Sequence, residues 1–116
     1  MIAAAMATPL RRRFGAHLKD VRATQQLTQD QLAERGGLSV DTVRRIERGA
    51  VSPSLDTLAK LAKGLGMSMT AMFGYFETGQ RDFASEITVL LAERPARDVT
   101  LAYDVVRAVL EARDRR

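Results

Sequence analysis

The chain contains no cysteine, which excludes disulfide staples and thiolate metal sites. Its single histidine, His17, cannot furnish an all-protein zinc site, and no metal or other cofactor is expected. No stretch is apolar over the ~20 residues that a membrane span needs. No run alternates apolar and polar residues in the manner of a half-buried strand, and internal repeats and low-complexity tracts are missing as well. Nor is there a nucleophile–base set, a phosphate-cradling glycine loop or a relay partner for His17, so an enzyme is not expected. The opening, MIAAAMATPLRRR, lacks the basic residue that precedes the apolar run of a signal peptide; its arginines follow that run. It reads as a disordered leader over residues 1–9, and the protein as cytoplasmic.

What is present suits one small packed domain with an appendage. Of 116 residues, 46% are hydrophobic and 28% charged, enough apolar side chains for a core. The net charge of +4 is unevenly spread. From Arg11 to Arg48 nine basic residues face five acidic ones, a net +4, whereas Glu77 to Arg116 holds seven basic and eight acidic, a net −1. The first half is therefore the part expected to meet phosphate. Arginine supplies 15 of the 18 basic residues, which points to a GC-rich bacterial source.

Apolar spacing is helical nearly throughout, which predicts an all-α fold. A first helix is predicted from Leu10 to Gln25, with Phe14, Leu18 and Val21 on one face and His17 exposed. Thr28 caps a second, with Gln31 reaching back in a capping box; Leu32 and Ala33 form its buried face, and Gly36–Gly37 stops it. Ser39 caps a third that reaches Arg48 and ends at Gly49. Ser54 caps a fourth, with Leu55, Leu58, Leu61, Ala62 and Leu65 at core spacing. A short fifth follows Ser68 and contributes Met69, Met72 and Phe73.

The stretch LTQDQLAERGGLSVDTVRRIERG thus holds two capped helices joined by a glycine turn, the second of them basic, which describes a helix-turn-helix. Such a break lets the second helix enter the major groove of DNA while the first crosses the phosphates. At 100° per residue, Val43, Ile46 and Glu47 turn inward. Asp41, Arg44, Arg45 and Arg48 turn outward, with Val40 at the edge. Arginine suits guanine O6 and N7 as a bidentate donor, and Val40 suits a thymine methyl. Asp41 could accept from a cytosine amino group, orient Arg44 or Arg45, or simply favour the first turn of a helix. Glu47, facing inward, needs a counter-charge.

From Phe14 to Phe73 the chain resembles the helix-turn-helix domain of the Cro and phage-repressor family, the xenobiotic-response-element type. The residues that carry the likeness are FG at Phe14, VR ending at Arg22, LTQDQLAE, GLS, RIERG and PSLDTLAKLAKGLGMSM. The resemblance implies a five-helix, lambda-repressor-like domain over residues 10–76 that binds double-stranded operator DNA, as a dimer in most members. It implies Val40, Asp41, Arg44 and Arg45 as base readers and an ion pair between Arg22 and Glu47. Thr28, Gln29, Thr42 and Arg48 are the expected phosphate contacts, with Arg11 to Arg13 as a supplement. Gly36 stands where alanine is commoner in the family and is expected to loosen the turn.

Residues 77–116 lie beyond the resemblance and are predicted to form a two-helix hairpin split at Pro95. Phe83, Ile87, Leu90 and Leu91 mark the first helix; Val99, Tyr103, Val106, Val109 and Leu110 mark the second, with Leu101 and Val105 widening its stripe. That stripe is too broad for a lone hairpin to bury. A homodimer interface is the leading expectation, and folding back onto helices one and five is the other. Three functions follow. The first is a transcriptional regulator, a repressor, that binds a pseudo-palindromic operator as a homodimer. The second is an antitoxin whose tail captures a toxin and which represses its own operon. The third is an interaction module that no longer reads DNA. No membrane contact is expected, and operator sequence and regulated genes are not encoded in the pattern.

Overall fold

The computed structural model describes residues 8–77 and 82–115; most of the expected leader, residues 1–7, lies outside them. Among the described residues every regular element is helical: α1 Leu10–Thr24, α2 Gln29–Gly36, α3 Val40–Glu47, α4 Leu55–Leu65, α5 Met69–Phe73, α6 Phe83–Ala92 and α7 Ala96–Asp114. No helix among them is long and apolar enough to cross a membrane.

Local chemistry sets most of the starts. Thr28 Oγ1 accepts from the Gln31 amide while the Thr28 amide donates to Gln31 Oε1, closing the capping box of α2. Ser39, Ser54, Ser68 and Asp82 each accept from the amide three residues on, which satisfies one orphan donor per helix. α1 and α7 begin instead after Pro9 and Pro95, where the missing amide costs nothing. The first helix stops one residue short of Gln25, and Arg48 is the cap of α3 rather than part of it.

The core lies between α1 and α5 of the chain's first two thirds. Leu18, Leu32, Val43, Leu61 and Met72 are fully buried, with Phe14, Ala33, Ile46, Ala62 and Leu65 around them. α2 packs on both α3 and α4, and α1 lies across α3. Two of these crossings require glycine. A Cβ on Gly15 would collide with the Ile46 carbonyl oxygen and lie 2.7 Å from that of Glu47. A Cβ on Gly36 would lie 2.7 Å from the Lys60 carbonyl oxygen. Gly36 therefore does not loosen the turn. It lets α2 touch α4, where Gly64 faces it.

Four further expectations are corrected by tertiary placement. His17 is buried, not exposed: its Nε2 donates to the Met72 carbonyl oxygen at 2.7 Å, and the rings of Tyr75 and Phe76 cover it. Residue 17 sits at the edge of the Phe14–Leu18 stripe, and the turn after α5 folds over that edge. Leu55 is 77% exposed, because it is the first residue of α4 and projects beyond the reach of α2. Met69 is exposed for the same reason at the start of α5.

The fourth concerns the tail. α6 and α7 do not pack along one another, so the expected hairpin is not formed. α6 does rest on α5: Val89 approaches Gly74, and Glu93 Oε1 accepts from the Ser68 amide at 2.9 Å. It stands off α1, leaving a cleft of about 540 Å³ lined by His17, Val21, Met72, Val89 and Leu90 among others. Neither helix buries a single residue fully.

Candidate nucleic-acid interface

The helix-turn-helix is built by three local devices. Gly37 adopts the left-handed conformation at φ 70°, which glycine accepts without penalty. The Leu38 amide then reaches back to the Ala33 carbonyl at 2.8 Å, and the Leu38 side chain packs on the core. Ser39 restarts the chain as α3 only two residues after α2 has ended.

Val43 and Ile46, both buried, fix which face of α3 looks inward. With that face fixed, Asp41, Arg44, Arg45 and Arg48 are exposed and Val40 is half-buried against the core edge. The outer face of α3 together with its C-cap residue Arg48 therefore carries three guanidinium groups and one carboxylate. Among the described residues Asp41 forms no ion pair with Arg44 or Arg45, so the structure does not bring those groups together.

The expected phosphate contacts are placed less uniformly. Thr28 is exposed at the start of α2, its oxygen engaged with the Gln31 amide. Thr42 is half-buried and shares a hydrogen bond with Ser39 at 2.8 Å between hydroxyls. Gln29 is turned away from solvent in part, and its Nε2 donates to Glu47 Oε1 at 2.9 Å. Arg11 to Arg13 lie in the first turn of α1, as expected. Arg12 packs against Gly49, and the Arg13 guanidinium lies 5.5 Å from the centre of the Phe76 ring.

Beneath this surface sits the ion pair. Arg22 Nε donates to Glu47 Oε2 at 2.7 Å and its Nη2 to Oε1 at 3.0 Å, a bidentate fork. The Glu47 side chain is 3% exposed and that of Arg22 13%. Arg22 Nη1 also donates to the Leu27 carbonyl at 2.8 Å. One guanidinium thus ties the end of α1, the approach to α2 and the last turn of α3. The hydrogen bonds that Arg22 donates to Glu47, opposed by burial and helped by the carboxylate's charge, hold the Arg22 pKa above the usual arginine value. Since the folded-state value is raised, its stabilisation is present throughout the range below the normal arginine pKa. It is lost only above that range, so Arg22 does not make the domain pH-sensitive.

Gln29 is the member of this cluster that the sequence did not disclose. Its position as the first residue of α2 reads as an ordinary first-turn polar residue. Only the crossing of α2 over the end of α3 shows that it reaches Glu47.

The same stretch matches known proteins. Residues 18–71 match the helix-turn-helix family. The immunity repressor protein of Bacillus phage phi105 is 31% identical over 100 residues, covering 86% of this chain and 66% of the repressor. An HTH-type transcriptional regulator of Methanocaldococcus jannaschii is 41% identical over 58 residues, which cover 50% of this chain and 88% of that protein. The crystal structure of the restriction-modification controller protein C.AhdI from Aeromonas hydrophila superposes with a TM-score of 0.52 at 33% identity, covering 54% of this chain and 96% of that one. Some other curated relatives are matched over only 32% to 42% of their length, so the chain spans well under two thirds of those proteins. These names denote regulators, not enzymes. On the turn, the caps, the buried Val43–Ile46 face and these matches, the chain belongs to the helix-turn-helix family of transcriptional regulators of the Cro and phage-repressor type.

Proposed function

We propose that this protein is a cytoplasmic repressor that binds a pseudo-palindromic operator in double-stranded DNA as a homodimer. In this reading residues 10–76 are the DNA-binding domain, and residues 77–116 join the two copies. α3 enters the major groove. Arg44 and Arg45 read guanine, Val40 meets a thymine methyl, and Asp41 accepts from cytosine or orients a neighbouring arginine once DNA is bound. The N-terminus of α2, at Thr28 and Gln29, sits over phosphate together with Thr42 and Arg48. The side chain of Gln29 stays on Glu47, so its backbone amide is the group left for phosphate.

One observation carries the reading: an exposed face of three arginines, on a short helix and its C-cap, with the opposite face locked by Val43 and Ile46. A merely solvated basic helix needs no such fixed presentation. The phage relative, named an immunity repressor, supports the sign of regulation.

A second reading rests on the tail. Its unburied apolar residues would also suit a captured protein such as a toxin, and the chain would then be an antitoxin acting on its own operon.

Fluorescence anisotropy on labelled duplex across a salt series tests the main reading. Affinity should fall steeply with salt, and Arg44→Ala with Arg45→Ala should abolish preference for the selected duplex over scrambled sequence. Salt-insensitive or absent duplex binding would leave only the interaction module.

A further inference from the structure

The two C-terminal helices present three apolar stripes that the described residues leave uncovered. On α6, Phe83, Ile87 and Leu90 are 85%, 51% and 69% exposed. On α7 there are two stripes. Val99, Tyr103, Val106 and Leu110 form one; Leu101, Val105, Ala108 and Ala112 form the other, and both repeat at the four-three-four spacing of a knobs-into-holes seam. At 100° per residue their centres lie roughly 150° apart, with Val109 at one margin between them. All eight of these α7 residues are exposed. A helix with one neighbour buries one such stripe. α7 therefore needs neighbours on two sides, and its own α6 is not one of them.

The uncovered surface is large. At about 100 Å² for each of ten exposed apolar side chains, the three stripes with Val109 come to on the order of 1,000 Å² in total. That is about what each partner contributes to a standard stable interface.

Charge indicates the occupant. Residues 96–115 carry four arginines and four carboxylates, and Asp104 and Asp98 are paired to Arg107 and Arg94 along the helix edge. The rim of the apolar surface is thus near neutral, so two copies meet without repulsion, and nothing in it selects a strongly charged partner.

We propose that the occupant is a second copy of this chain, interlocked rather than laid side by side. Around a two-fold axis, the Val99–Leu110 stripe of α7 lies against the same stripe of the partner's α7. Its Leu101–Ala112 stripe then lies on the partner's Phe83–Ile87–Leu90 stripe, and each α7 sits between two helices of the other copy. This rests on the homodimer reading above and specifies its geometry.

Sedimentation of the full chain tests it. Val105 lies on the stripe that a single α7–α7 seam would leave in water, and it is 53% exposed in the isolated chain, so Val105→Glu should fold. It is expected to raise the dimer dissociation constant by about 100-fold or more, through a buried unpaired carboxylate. Because the chain lacks cysteine, a mixture of Ile87→Cys and Val105→Cys chains should form a disulfide between copies on oxidation. Either variant alone should not. An unperturbed Val105→Glu dimer, or no mixed disulfide, overturns the interlocked arrangement; if Val106→Glu still dissociates the chain, the homodimer itself stands. A wild-type chain that sediments as a monomer at tens of micromolar overturns both, and its duplex titration then decides whether DNA binding survives alone.

Discussion

α4 and α7 use the same alphabet to different ends. Both repeat leucine or valine at three- and four-residue spacing. In α4, Leu61 and Leu65 are buried under α2, and glycines at 36 and 64 let the two backbones touch. In α7, Val106, Val109 and Leu110 are each at least half exposed. The physics of the sequence is alike in both helices: apolar surface wants to leave water. What differs is supply, because α2 buries the core stripe of α4 and no described helix buries either stripe of α7. Periodicity states which face must be covered and is silent on what covers it.

That contrast can be broken or sharpened by mutation. The largest effects should separate stability from affinity. Glu47→Ala leaves the Arg22 charge with little access to water and is expected to cost about 3–5 kcal/mol of folding stability. Base preference should persist in the fraction that stays folded. Thermal melting alongside duplex selection checks this; unchanged melting with altered preference would move Glu47 to the DNA. Truncation after Gly79 should do the reverse. The fragment keeps a cooperative helical melt but becomes monomeric, losing about 10²–10⁴-fold in operator affinity as the two half-sites decouple. A fragment that stays dimeric and binds at full strength would take the interface away from the tail.

Intermediate in size is Arg45→Ala. It should cost about 1–3 kcal/mol per contact and relax specificity at one symmetry-related base pair. An unchanged ratio of operator to scrambled binding would remove Arg45 from the base readers. Smallest is Leu55→Ser, at a position 77% exposed. It should shift stability by no more than about 0.5 kcal/mol, whereas Leu61→Ala on the same helix should cost about 2–5 kcal/mol. Comparable denaturant midpoints for the two would show that Leu55 is covered in solution.

The features legible in the sequence are those decided within a few residues. The cap at Thr28 with Gln31, the left-handed Gly37 and the inward Val43–Ile46 pair follow from local chemistry and a 100° step. Features that depend on where one helix meets another were not legible. His17 lies at a stripe's edge, and only the turn carrying Tyr75 and Phe76 decides that it is buried. Gly36 looks like a weak turn residue until the Lys60 carbonyl is found beside it. Nothing local to α2 shows that the Gln29 side chain donates to Glu47 Oε1 at 2.9 Å. Two amphipathic helices joined by three residues predict a hairpin for the tail, yet α6 takes α5 as its neighbour instead.

In the proposed dimer α3 reads a duplex sequence twice across a two-fold axis. Selection of bound duplexes from a random pool by the full chain tests it most directly. The expected result is enrichment of a pseudo-palindrome whose half-sites are centred about 34–36 Å apart, one turn of duplex, with guanine at the positions that Arg44→Ala and Arg45→Ala each release. A pool that returns no enriched sequence would contradict it.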